Sequence, residues 1–136
     1  MRLVLDTNVI LKALIKDSKV RAILLSPKHQ LCLPEHAIEE TREHLPTVER
    51  KTGLSREEIE NALGALLAGV EVVETERSSD AWQEAMRIMG PIDVEDVPFL
   101  AAALSTACDG IWSDDKHLKR QTRVKVWTTK DMVFLG

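Results

Sequence analysis

The chain has 136 residues, 44% hydrophobic and 29% charged, which is the size and apolar content of one packed domain and excludes a disordered chain. Lys and Arg total 18 against 22 Asp and Glu, a formal net charge of −4; this excludes a polybasic nucleic-acid coat but leaves room for an enzyme with a local basic strip. Aromatic residues make up 4%, with no Tyr, too few for a base-stacking platform.

Residues 3–5 form a short apolar run ending in Asp6 and read as a buried strand. A helix follows, with Val9, Ile10, Ala13 and Leu14 on one side. Ser18 is placed to cap a second helical piece carrying Val20, Ile23 and Leu24, and Pro27 marks a break. Residues 30–33 are a second strand closed by Pro34, and 35–45 a helix ending before Pro46. Ser55 and Glu58 have capping-box spacing, and Ile59, Leu63, Leu66 and Leu67 give a 3.6-residue stripe up to Gly69. Residues 70–73 are a third strand. Ser79 begins a helix with Trp82, Ala85, Met86 and Met89 inward and Gly90 as its stop. After Pro91, residues 96–107 form an apolar helix with Pro98 in its first turn. Residues 111–113 and 124–127 are the fourth and fifth strands, and a last helical turn covers 130–133.

Strands alternate with helices throughout 1–136, which predicts a single α/β domain: a parallel sheet of about five strands with helices on both faces. In such sheets ligands bind beyond the carboxyl ends of the strands. Asp6 stands at that end of the first strand, and Asp114 and Asp115 at that end of the fourth. At about 100° per residue, Asp96 lies at the rim of the face formed by Val97, Leu100, Ala101, Leu104 and Ala107, with Glu95 turned to water. The same arithmetic on 35–45 favours Glu40 over Glu39. Acids gathered at one sheet edge repel one another unless protonated or neutralised by a cation. Oxygen ligands select Mg²⁺ or Mn²⁺, ions suited to phosphoryl chemistry. The competing reading makes these acids solvated charges, helix caps or strand-end turn residues.

The segment Leu5-Asp6-Thr7-Asn8-Val9 resembles the opening motif of PIN domains, the PilT N-terminus nucleases. Glu40-Thr41-Arg42-Glu43-His44-Leu45 is similar to their second motif, and Asp93-Val94-Glu95-Asp96 followed by Leu100-Ala101-Ala102-Ala103-Leu104 to their third. Ser113-Asp114-Asp115-Lys116-His117-Leu118 resembles the fourth. The order and rough spacing hold over nearly the whole chain. The resemblance implies a three-layer α/β/α fold and an endoribonuclease using Mg²⁺ or Mn²⁺, in which metal-activated water attacks phosphorus in line. It implies Asp6, Glu40, Asp96 and Asp115 as catalytic acids. Asp6, Asp96 and Asp115 are the implied metal ligands, and Asn8 and Ser113 polar helpers. Asp114 stands where many relatives have Gly, so Asp114 and Asp115 remain alternatives for the place nearest the metal, as do Asp93 and Asp96. The resemblance further implies an RNA substrate, a VapBC-type antitoxin partner and a homodimer formed on the helix pair around residues 55–90. The alternative is a catalytically inactive PIN fold that binds RNA or protein.

Lys116, Lys119, Arg120, Arg123 and Lys125 crowd the segment after the fourth motif and are candidates to hold RNA phosphates. Arg42, Arg50, Lys51 and Arg56 form a second basic group. His29, His36, His44 and His117 show no metal-ligand spacing on one evident face and are expected at the surface without a catalytic role. Trp112 is expected in the core, and Trp127 against the core or the substrate. Cys32 and Cys108 lack CxxC spacing and read as buried thiols of a reducing compartment. The apolar start is too short for a signal peptide and no segment approaches a membrane span, so a cytoplasmic protein is expected. A phosphatase of the aspartyl-phosphate type fits poorly, because Asn8 replaces the second acid of its Asp-x-Asp. A receiver domain fits poorly too, because the third strand ends near Glu74 rather than an Asp.

Overall fold

The computed structural model describes residues 1–16 and 18–135. They run β1 (Arg2–Leu5), α1 (Thr7–Ile15), α2 (Ser18–Leu25), β2 (Gln30–Pro34), α3 (Glu35–Glu43), α4 (Leu45–Thr52), α5 (Arg56–Leu67), β3 (Glu71–Val73), α6 (Asp80–Met89), α7 (Val97–Thr106), β4 (Gly110–Trp112), β5 (Val126–Trp127) and α8 (Thr129–Leu135), with 3-10 turns at Val94–Asp96 and Leu118–Arg120. The sheet order is β3-β2-β1-β4-β5 and every pairing is parallel. From β1 the chain builds outward through β2 and β3, then returns to lay β4 on the other side of β1. Right-handed crossovers therefore send the helices between β1 and β3 to one face and those between β3 and β4 to the other. The packing agrees. α1 touches α2, α3, α4 and α5, and α2 touches α8, while α7 lies on β1, β2 and β4 with α6 against it. The result is the three-layer α/β/α arrangement expected from the sequence.

Burial follows the strand pattern. Leu3, Val4 and Leu5 of β1 and Ile111 and Trp112 of β4 are fully buried, as a central parallel strand requires. α7 is apolar on most sides, and Val97, Phe99, Leu100, Ala101, Ala102 and Ala103 are all buried. Its run of alanines lets the helix sit close to both the sheet and α6. Trp112 closes the core and donates from Nε1 to Thr129 Oγ1 at 3.1 Å, tying β4 to α8. β5 approaches so closely that a Cβ on Gly110 would lie 2.6 Å from Lys125 O and 2.7 Å from the Trp127 ring; only glycine fits there. Trp127 packs at that spot under the Lys125 ammonium, 4.0 Å above its ring.

Several local features depart from the sequence reading. The helix expected over 35–45 ends at Glu43, and a separate helix, α4, starts at Leu45 with Pro46 in its first turn. Proline is compatible with a first turn, so it opened a helix here instead of closing one. Gly53, at φ 72°, ends α4 in the left-handed region. Ser18 is the first residue of α2 rather than its cap. The last strand is shorter than 124–127. The Gln121 side chain accepts from Val124 N and donates to Val124 O, taking that residue's backbone away from the sheet ladder. Ala107, expected on the inward face of α7, lies past its end at φ 49° and is exposed. On α6, Ala85 and Met89 are buried as expected, but Trp82 is half-buried and Met86 is 38% exposed. Both cysteines are free. Burial pushes the Cys32 thiol up to about 11, whereas Cys108 is only half-buried. No helix among the described residues is long and apolar enough to cross a membrane.

Candidate metal centre

The sheet order puts β1 and β4 side by side, with Leu5 opposite Trp112. Their next residues, Asp6 and Ser113, therefore emerge together at the carboxyl edge, where the sheet changes its direction of growth. Asp6 caps α1, accepting from Asn8 N at 3.4 Å. Its other oxygen accepts from Ser113 Oγ at 2.6 Å. Ser113 Oγ in turn accepts from Asp115 N at 2.9 Å, so one buried hydroxyl fixes both the first acid and the main chain of the last. Asp115 Oδ1 accepts from His117 N at 2.7 Å, folding the loop back over itself.

The third side of the site comes from the other helical layer. Asp93 caps the turn Val94–Asp96, accepting from Glu95 N at 3.0 Å. That turn directs Asp96 inward and Glu95 out: Asp96 is 6% exposed and Glu95 is exposed. Asp93, Asp96, Asp115 and His117 each bring a donor atom to a place where all lie within 4.8 Å of one another. His117 Nδ1 is 3.2 Å from Asp93 Oδ2 and 3.4 Å from Asp115 Oδ1. Asp96 Oδ2 is buried and has no hydrogen-bond partner.

The electrostatics are those of crowded carboxylates. Burial, followed by the charge of Asp115, a side-chain hydrogen bond shared with Asp115, and then the charges of Asp93 and Asp6, pushes Asp96 up to about 8. Burial also raises Asp6, against the lowering effect of its bonds from Ser113 and Asn8, and Asp115 and Glu40 add to the rise. Asp6, Asp96 and Asp115 thus share one field. Glu40 belongs to its margin: half-buried on α3, it influences Asp6, and its Oε2 lies 3.6 Å from His36 Nε2. Asn8 contributes its backbone N–H, while its residue is exposed.

Asp114 turns away from this cluster. It accepts from Thr129 N at 2.8 Å, Thr129 Oγ1 at 2.6 Å and Lys12 Nζ at 2.6 Å. Of the two adjacent acids left open by the sequence, Asp115 faces the cluster and Asp114 anchors α8. Asp93 and Asp96, the other open pair, both belong to the cluster. Sequence reasoning missed His117, whose ring stands at the cluster instead of on an unrelated surface. The Asp-x-His spacing of Asp115 and His117 was the available signal, but it acquires meaning only once the loop folds back.

Two clefts flank the cluster. The larger, about 930 Å³, is lined by Glu35, Glu40, Glu43, Glu74, Glu76 and Glu95 together with Trp82, Met86 and Val94. The smaller, about 450 Å³, is lined by Asn8, Lys12, Lys51, His44, Asp114 and Asp115 among others. Lys116, Lys119, Arg120 and Arg123 are exposed, and Arg123 pairs with Glu84 of α6 at 2.9 Å.

The family model of the PIN domain matches residues 4–135. The chain belongs to the PIN domain family. No curated protein matches it. Among solved structures, this PIN domain is similar to a chain in the crystal structure of VapBC2 from Rickettsia felis bound to a DNA fragment from their promoter. The TM-score is 0.68 at 14% identity, covering 94% of this chain and 98% of that one; the likeness is one of fold. PIN domains as a family are metal-dependent nucleases, and the clustered acids are a donor set suited to a divalent cation. The fit rests on Asp96: a buried carboxylate oxygen without a donor, next to a second carboxylate, is the environment a cation neutralises.

Proposed function

We propose that this PIN domain is an endoribonuclease that hydrolyses RNA phosphodiester bonds with Mg²⁺ or Mn²⁺, and that it is the toxin of a toxin–antitoxin pair. The observation that carries the reading is the orphaned, buried Asp96 oxygen beside Asp115. Asp96 and Asp115, with Asp6 behind them, would hold the ion. When bound, such an ion polarises a scissile phosphate and lowers the pKa of water. Ser113 orients Asp6 by donating to Oδ2, and it fixes the Asp115 backbone at the same time. Glu40, at the margin of the cluster, takes the proton of the attacking water on its carboxylate.

Charge decides the direction of approach. The larger cleft sets six glutamates against Arg77 and repels a polyanion, whereas the smaller one balances Lys12 and Lys51 against Asp114 and Asp115, with Lys12 held by Asp114. RNA therefore enters from the Asn8–Lys12 side, with Lys116, Lys119 and Arg120 as outlying phosphate contacts, while Arg123 is paired with Glu84 of α6. The acidic cleft, with exposed Met86 and Val94 on its walls, suits a cationic, partly apolar segment of a partner protein. That chemistry, together with the fold likeness to VapBC2, supports an antitoxin as the partner.

The test is cleavage of RNA by the wild type and by Asp96→Asn, with circular dichroism as the check on folding. We expect cleavage in Mg²⁺ or Mn²⁺, none in EDTA, and none by the folded variant. Cleavage that survives Asp96→Asn would overturn the reading. Binding of RNA in Mn²⁺ without cleavage would favour an inactive binding module.

A further inference from the structure

His117 brings a nitrogen donor to a site otherwise made of oxygens. Its Nδ1 lies 3.2 Å from Asp93 Oδ2 and 3.4 Å from Asp115 Oδ1. Two donors bound at a right angle to one ion, through bonds of about 2.1–2.2 Å, lie about 3 Å apart. The observed spacings are close to that edge length. The ring is held there by its own main chain, because His117 N donates to Asp115 Oδ1 at 2.7 Å.

The other way to read the same distances is an imidazolium paired with Asp93 and Asp115. That pairing leaves Asp96 untouched. Asp96 is 6% exposed and its Oδ2 has no hydrogen-bond partner, so the deepest carboxylate would have to keep a proton and its buried oxygen would stay unpartnered. A cation among the four donors, all within 4.8 Å of one another, meets the buried oxygen and uses the imidazole as a ligand.

We propose that His117 Nδ1 is a metal ligand, and that this nitrogen makes the site prefer a first-row transition ion such as Mn²⁺ over Mg²⁺. Mg²⁺ holds to oxygen ligands and gives up water reluctantly, whereas the first-row transition ions accept imidazole, Mn²⁺ the least avidly of them, so the preference over Mg²⁺ is carried by one nitrogen in an oxygen-rich site. The inference rests on the reading of the acid cluster as an ion site and adds the residue that sets its choice of ion.

The experiment is Mn²⁺ titration of the full chain by calorimetry, followed by pulsed EPR of the Mn²⁺-loaded protein. The wild type should bind Mn²⁺ and show modulation from a directly coordinated nitrogen. That modulation should change character when the histidines are labelled with ¹⁵N, a probe that needs no substitution. In His117→Ala and His117→Asn the nitrogen signal should vanish. Mn²⁺ affinity should fall at least about tenfold, the loss that even an outer-shell partner of a ligand causes, while Mg²⁺ affinity changes little. Bound Mn²⁺ without a nitrogen signal would overturn the role of His117 and leave the nuclease reading standing. Failure of the wild type to bind Mn²⁺ at all would overturn both.

Discussion

Asp114 and Asp115 are neighbours in the chain with opposite surroundings. Asp114 receives two bonds from Thr129 and one from Lys12. Burial works against its ionisation, but the Lys12 ammonium and the Thr129 donors outweigh burial and hold the carboxyl below its ordinary value. Asp115 faces Asp96, which has an oxygen without a donor and is pushed up to about 8. One region of the loop is electrostatically complete and fastens α8 to the sheet. The other is left short of positive charge. Stability resides in the first, and the second carries a deficit that only a proton or a cation removes. An incomplete polar cluster inside a well-packed fold is the physical mark of a functional site.

That contrast breaks most visibly in catalysis. Asp96→Asn and Asp6→Asn should each lower RNA cleavage by about a thousandfold or more, equivalent to about 4 kcal/mol of barrier, in a metal-supplemented assay. Asp114→Asn should leave cleavage within about tenfold of wild type, because its side chain serves α8. Equal losses at positions 96 and 114 would erase the distinction.

Stability should move the other way. Asp114→Ala removes an acceptor from three donors and should cost about 1.5–3 kcal/mol, the usual scale for hydrogen bonds to a charged group, read by urea unfolding. Asp96→Asn should stabilise the metal-free protein at pH 8, because an amide carries no charge into the buried site.

The two acids also predict opposite pH slopes. With its pKa raised in the fold, Asp96 binds more protons folded than unfolded between the ordinary carboxyl range and about 8. Its contribution to stability therefore falls as pH rises through that window. With its pKa lowered, Asp114 contributes stability above the ordinary carboxyl range and loses it as pH falls through the folded value. Thermal unfolding in EDTA between pH 5 and 8, with ~1 mM Mg²⁺ as the contrast, reads the first slope. It should flatten in Asp96→Asn, leaving the contribution of Asp6, and shrink when the ion is present. Ser113→Ala sharpens the picture further. Loss of its hydroxyl leaves a buried Asp6 oxygen without its 2.6 Å donor, and should cost about 1–3 kcal/mol of stability together with part of the activity.

The strand–helix alternation made the layers and the direction of the sheet readable from sequence, and strand ends carry acids to a common edge whatever the loops do. Asp6 and the adjacent pair Asp114 and Asp115 could be found by that rule, and Asp96 by helix arithmetic. The rest depended on contacts that periodicity does not encode. Pro46 is equally at home after a helix and inside a first turn, so α4 was invisible. Gln121 shortened β5 by side-chain bonds to Val124, which no local propensity announces. The choice between Asp114 and Asp115 is made by the docking of α8, some 15 residues further on. His117 reaches the cluster only because Asp115 captures its backbone N–H, a turn whose consequence is visible in three dimensions alone.

The most direct test is a crystal soaked in Mn²⁺ and measured at the manganese absorption edge. Buried acids that trap a divalent cation require an anomalous peak in contact with Asp96 and Asp115. A peak elsewhere, or none beside these two carboxylates at saturating Mn²⁺, would contradict the assignment.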